Sequence, residues 1–158
     1  MDWNNKEEVL ERVKICGDNL YHTSERLCND REIVLESVKR NGLMLYYASE
    51  RLRNDREIVL ESVKRNGLML YHASKRLRDD RGVVLTAVKQ NEKALEFAST
   101  RLQDDEEIVR EALKRDIYMM RFVSKRLQKD EGILKDIPKY IFQKYMFART
   151  QKERRGKK

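Results

Sequence analysis

Apolar and polar positions recur in this chain at a fixed interval of 25 residues. Leucine stands at residues 27, 52, 77, 102 and 127, always after the same polar company. Serine precedes it by three (Ser24, Ser49, Ser74, Ser99, Ser124) and arginine by one (Arg26, Arg51, Arg76, Arg101, Arg126). Residues 24–46 and 49–71 are the same sequence but for Cys28 against Arg53. With Asn5 as position 1, the same register falls on Asp30, Asp55, Asp80, Asp105 and Asp130. The five full repeats are then 5–29, 30–54, 55–79, 80–104 and 105–129, followed by a degenerate sixth. A period of this length marks a repeat architecture.

Each repeat reads as two short helices. The first starts near Asn29-Asp30-Arg31-Glu32, where an Asn N-cap with Glu three residues on has the spacing of a capping box. Its apolar stripe is Val34 and Val38, widened by Ile33 and Leu35, a breadth suited to a helix sandwiched between neighbours. Asn41-Gly42 then ends it, glycine being the residue that accepts a left-handed C-cap. The second helix, Leu43 to about Arg53, places Leu45, Ala48, Ser49 and Leu52 on one face at i, i+3, i+4, i+7 spacing.

A pair of ten-residue helices is marginal alone. Stacked on like pairs it buries both sides, which is the logic of a solenoid. The fold class expected is all-α: an α-solenoid of about five helix-turn-helix repeats with a degenerate C-terminal capping unit. Trp3 is placed to cover the open face of the first repeat. Pro138 takes the place of Val38 in the sixth unit and breaks its first helix. Tyr140-Ile141-Phe142 to Tyr145-Met146-Phe147 then reads as a longer capping helix. The domain reading is a repeat domain over 1–148 and a basic, disordered tail over 149–158.

The recurring Asp-x-x-Ile-Val-Leu, Val-Lys-x-Asn-Gly and Tyr-Ala-Ser-x-x-Leu resemble a family of tandem 25-residue units known only as a domain of unknown function. The resemblance spans about residues 5–135. It departs most in the unit holding Arg110 (for Leu35) and Asp116-Ile117 (for Asn41-Gly42). It implies helical repeats and carries no activity with it.

Composition narrows the classes of function. Charged residues make up 39% of the 158, hydrophobic ones 40%, and there is one proline, the profile of a soluble helix-rich chain. No apolar run approaches the roughly 18 residues of a membrane span, and the start MDWNNKEE is not that of a signal peptide. Cys16 and Cys28 form no metal or redox motif and are expected as free thiols at opposite ends of adjacent helices, which fits an intracellular location. The net charge of +8 is concentrated: residues 149–158 hold six bases against Glu153. The segment from Lys139 to Lys158 is aromatic and basic, a composition that also suits an anionic membrane surface.

Catalytic constellations are absent from the sequence. His22 and His72 lie two repeats apart, about 20 Å by helix-stacking distances, and cannot share a metal. There is no phosphate loop and no zinc-ligand cluster, so neither enzyme activity nor a cofactor is expected. Position 18 is aromatic or imidazole throughout (His22, Tyr47, His72, Phe97, Phe122), four residues before the arginine of position 22. Stacking aligns five pairs: His22/Arg26, Tyr47/Arg51, His72/Arg76, Phe97/Arg101 and Phe122/Arg126. One reading is a recognition ladder. The other is structural, with rings packed between repeats and each arginine stacked on its ring or answering position 1 of the next unit. Lys14, Lys39, Lys64, Lys89 and Lys114 sit near first-helix C-termini, where cations meet the helix dipole favourably. Alternatively they form a basic stripe with Arg40, Arg65 and Arg115, broken up by Glu32, Glu36, Glu57 and Glu61.

The expectation is a non-enzymatic scaffold that binds a protein partner. The alternative is nucleic-acid backbone binding by the Arg/aromatic ladder and basic tail. Specificity is sought where repeats diverge: Asp18-Asn19, Lys93-Ala94, Tyr118-Met119, and positions 21 and 24.

Overall fold

The computed structural model describes residues 2–143 and 145–147, short helices joined by turns and brief extended links, with no strand among them. The α-helices are α1 (Lys6–Ile15), α2 (Glu25–Cys28), α3 (Arg31–Arg40), α4 (Arg56–Arg65), α5 (Arg81–Gln90), α6 (Glu106–Leu113) and α7 (Glu131–Lys135). Six-residue 3₁₀ helices come after α1 and α3–α6, at Gly17–His22, Gly42–Tyr47, Gly67–His72, Glu92–Phe97 and Ile117–Phe122. The α-helices stack on one another in one layer and the 3₁₀ helices in a second. The core lies between. An interior repeat buries Ile58, Val59, Val63, Leu70 and Leu77 completely, each side chain contributing about 1.5–3 kcal/mol relative to exposure. Burial is therefore the main stabilising term, and polar ties between repeats set register.

The all-α repeat expected from the sequence is present, but its second helix is not a continuous α-helix. The run from Leu43 splits into the 3₁₀ helix Gly42–Tyr47, an extended Ala48, and a short 3₁₀ turn at Leu52–Asn54. Leu45, Ala48 and Leu52 are buried as the spacing required. The break serves a different need. In its extended setting the Ser49 N–H donates to Cys28 O of the preceding repeat at 3.0 Å. Ser74 to Arg53, Ser99 to Arg78 and Ser124 to Gln103 repeat that bond at 2.9–3.0 Å. A continuous helix would have spent these amides internally.

Three boundary residues act otherwise than their sequence context suggests. The N-cap is Asp30, whose carboxylate accepts from the Glu32 and Ile33 amides, not Asn29. Asp55 caps in the same way, and Asp80, Asp105 and Asp130 each accept from the single amide three residues on. Gly42 does not adopt a left-handed conformation, and no described residue has positive φ. It is required by close approach: a Cβ there would lie 2.6 Å from Ser62 O and 3.1 Å from Arg65 Cβ in the next repeat. Gly17 and Gly67 meet the carbonyls of Ser37 and Ala87 equally closely. Asn41 acts on the 3₁₀ helix ahead of it rather than on the α-helix behind, its side chain accepting from the Leu43 amide.

The ends are covered. Trp3 packs against the core. In the sixth unit α7 stops at Lys135 ahead of Pro138, and helical residues resume at 139–143 and 145–147. Ile141, Phe142 and Tyr145 pack on the core, and Tyr118 meets Tyr145 at 6.1 Å between ring centroids. The expected boundary at 148/149 and the tail beyond it lie outside the described residues.

Candidate functional site

The arginines of the expected ladder are engaged. Arg51 donates from Nε to Asn29 Oδ1 (3.0 Å) and from Nη2 to Asn29 O (2.6 Å), and Ser49 Oγ donates to the same Oδ1 (2.7 Å). Arg76 and Ser74 hold Asn54 in the same manner. Arg101 with Ser99 holds Asp79, and Arg126 with Ser124 holds Asp104. Arg26 reaches Asn4 O at 2.6 Å. The strict Ser-x-Arg-Leu is thus a clamp on the last residue of the repeat before it. The arginine does not answer position 1 of the next unit. That aspartate is bound instead by position 2 of its predecessor: Lys6–Asp30 2.9 Å, then Arg31–Asp55, Arg56–Asp80 and Arg81–Asp105, each 2.8 Å. Partial burial works to raise the Asp55 carboxyl, but Arg31 and the cap amides outweigh it and hold it below its ordinary value. In Asp79 and Asp104 the serine hydroxyl and then the arginine lower the carboxyl.

The lysines of position 10 pair within their own helices, three residues from a glutamate: Lys14–Glu11, Lys39–Glu36, Lys64–Glu61 and Lys114–Glu111, at 2.6–3.2 Å. Lys89 has Thr86 at that place. Position 24 is engaged within its own repeat at Arg53, Gln103 and Gln128. Gln103 and Gln128 donate to carbonyls ending their own 3₁₀ helices (Leu95 O and Met120 O, 3.1 Å each), and Arg53 Nη2 donates to Tyr46 O. These bonds, with the Asn41-type start, support 3₁₀ helices that run six residues, beyond the usual three or four. Position 21 (Glu25, Glu50, Lys75, Thr100, Lys125) is exposed throughout, as are Asp18, Lys93 and Tyr118, whereas Ala94 and Met119 are buried.

The aromatic residues of position 18 do come together, with partners that the sequence reading missed. The break after position 18 removes the i,i+4 relation to arginine. His22, Tyr47, His72 and Phe97 instead pack against tyrosines at position 17. Ring centroids run Trp3–His22 5.2 Å, His22–Tyr21 5.0 Å, Tyr21–Tyr47 5.3 Å, Tyr47–Tyr46 4.9 Å, Tyr46–His72 5.1 Å, His72–Tyr71 4.9 Å and Tyr71–Phe97 5.2 Å. All but the first of these contacts are edge-to-face, the favoured geometry for aromatic pairs. Tyr47, His72 and Phe97 are half-buried against the core, whereas Tyr21, Tyr46 and Tyr71 are 61, 54 and 59% exposed. Burial and then the Arg53 charge push the His72 imidazole below its ordinary value, favouring the neutral ring. The zigzag ends at Phe97, because position 17 becomes Glu96 and then Arg121, which lies 4.6 Å over Phe122. The signal available in the sequence was the tyrosine recurring at 21, 46 and 71.

A period of 25, paired α and 3₁₀ layers and the inter-repeat clamp all bear on kinship. Residues 5–53, 30–78 and 80–128 each match the family described as Domain of unknown function (DUF4116). The chain belongs to DUF4116. Each match begins at position 1 and covers about two neighbouring repeats of this chain. No curated protein and no solved structure matches the chain.

Among the described residues no group of His, Cys, Asp or Glu is arranged to hold a metal. Cys16 and Cys28 are free. No described helix is long and apolar enough to cross a membrane.

Proposed function

We propose that this DUF4116 chain performs no chemistry of its own and serves as a scaffold, binding a protein partner along the aromatic strip of its 3₁₀ layer. The observation that carries this reading is the set of three tyrosines in register, each more than half exposed. The core and the clamp are complete without their outer faces, and aromatic rings with polar tips are the side chains most enriched in binding hot spots. The free thiols suit an intracellular setting.

Selection of displayed peptides on the full chain, counter-selected on Tyr21→Ser/Tyr46→Ser/Tyr71→Ser, tests the reading. Saturable ligands that the triple variant loses while keeping its thermal transition support it. Failure to enrich any strip-dependent peptide removes it. Nucleic-acid binding along the arginine ladder is disfavoured because Nε and Nη2 of Arg51, Arg76, Arg101 and Arg126 already bond to the preceding repeat. Salt-sensitive oligonucleotide binding that survives deletion of 149–158 and disappears in Arg51→Ala/Arg76→Ala would restore it.

A further inference from the structure

The aromatic strip has a period and a polarity that specify more than a generic protein partner. Tyr21, Tyr46 and Tyr71 form ridges, and the deeper rings Tyr47 and His72 floor the troughs between them, with Trp3 and the exposed His22 ahead of the first ridge. Successive 3₁₀ helices pack directly on one another, which sets the ridges about 8–10 Å apart, and the ring-to-ring steps of 5.3 and 4.9 Å, then 5.1 and 4.9 Å, are long enough to span that distance. A polyproline II chain advances about 3.1 Å per residue with three residues per turn, about 9.3 Å per turn. One turn of such a chain therefore spans one repeat. Prolines at i, i+3 and i+6 would seat one ring in each of three successive troughs.

The chemistry of the strip selects among extended and helical ligands. A strand turns its side chains to alternate faces, and its same-face spacing of about 6.6–6.8 Å does not match the ridges. A helical ligand has satisfied its own backbone, so tyrosine hydroxyls covered by its apolar face would lose water without gaining an acceptor. Polyproline II has no internal hydrogen bonds and presents free carbonyls to those hydroxyls.

Charge fixes the direction and register. At the fourth rung tyrosine gives way to Glu96, which is exposed and enters no ion pair among the described residues. A basic residue three positions beyond the last proline meets that carboxylate. The notch at the third trough, where Glu50, Arg53, Tyr71, His72 and Lys75 meet, is open to solvent and leaves room for the chain to pass.

We infer that the strip begun by Trp3 and His22, ridged by Tyr21, Tyr46 and Tyr71, floored by Tyr47 and His72 and closed by Glu96, is a docking site for a polyproline II segment of the form Pro-x-x-Pro-x-x-Pro-x-x-Arg. This rests on the scaffold reading and names the class of its partner.

The test is fluorescence anisotropy of the labelled decapeptide with the full-length protein. Three probes serve as controls: the same composition scrambled, an amphipathic helical peptide, and an oligouridylate of similar length. Saturable binding of the periodic peptide is expected, weakened tenfold or more in Tyr46→Ser/Tyr71→Ser. Glu96→Lys should reverse the preference, so that a peptide ending in Glu replaces the one ending in Arg. Both variants alter exposed side chains, and an unchanged thermal transition shows that they fold. No binding of the periodic peptide at millimolar concentration overturns the inference. So does binding that the tyrosine variant leaves intact, or tighter strip-dependent binding of the helix or the oligonucleotide. The displayed-peptide selection separates the two levels. Strip-dependent ligands without periodic proline defeat this inference and leave the scaffold reading standing, whereas no strip-dependent ligand defeats both.

Discussion

Repeats one to three and repeats four and five are built on the same clamp and differ in what they hang from it. The first three carry glycine at position 13 (Gly17, Gly42, Gly67) and tyrosine at position 17 (Tyr21, Tyr46, Tyr71). The last two carry Glu92 and Ile117, then Glu96 and Arg121. Glycine and tyrosine leave together. Where Glu92 replaces glycine, the helix packed next to it, α6, ends two residues earlier in its repeat than its counterparts, and Arg115 bonds to Ala112 O in a tighter final turn. The bonds from positions 20 and 22 persist in both halves, although their acceptor changes from Asn29 and Asn54 to Asp79 and Asp104. Residues 20, 22 and 23 are therefore what a repeat needs in order to stack, whereas 13 and 17 vary with the surface presented.

The strongest way to break this contrast is at position 13. Gly42→Val drives a side chain into Ser62 O and should destabilise by about 2–3 kcal/mol, as overpacking does. Glu92→Gly, which returns the fourth repeat to the pattern of the first three, should leave stability nearly unchanged. Urea unfolding of the two variants measures the difference, and equal losses would show that the halves pack alike.

Position 13 also shows how much was legible in the sequence. The period, the unit boundaries, the buried leucines and both end caps are readable from side-chain pattern, because burial selects side chains. The 3₁₀ layer is not, because Leu45, Ala48 and Leu52 satisfy helical spacing while the backbone breaks to reach the previous repeat. Gly42 and Asn29 were assigned to local caps, yet both answer residues about 20 positions further along, Ser62 and Ser49. Contacts between repeats leave no periodicity of their own within a repeat. The aromatic half of the candidate site was visible at position 18, while the tyrosines that expose it were hidden in an apolar run.

The next effect in size concerns the clamp. Arg51→Ala removes two hydrogen bonds to Asn29 and should cost about 1–2 kcal/mol. Arg51→Lys should recover little of it, since one ammonium does not reproduce the guanidinium fork. Thermal denaturation of both variants checks this, and full rescue by lysine would reduce the clamp to a point charge.

Acid should separate the halves further. The carboxyls of Asp79 and Asp104 are lowered by folding, so their contribution is present above the ordinary carboxylate value of 3.8 and is lost as the pH falls through their folded values. Asn29 and Asn54 do not titrate. Asp79→Asn/Asp104→Asn should therefore flatten the decline in stability below pH 4 relative to the parent, read as melting temperature against pH. An unaltered slope would assign the acid sensitivity to the capping aspartates.

The smallest effect belongs to the exposed ladder at position 2. Arg81 is about half exposed in its pairing with Asp105, and such pairs contribute little in salt. Arg81→Ala should not shift the melting temperature measurably at 0.15 M salt.

The amide ladder from Ser49, Ser74, Ser99 and Ser124 joins each layer only to the one before it. Such an array has the mechanics of a spring whose coils are of equal length. Tension applied to its ends would be carried in series, and extension would release one coil at a time, each giving up the same length of chain. Adding or deleting a 25-residue coil changes the reach of the whole by a fixed step without retuning any other, so the reach of this protein is set by counting its repeats.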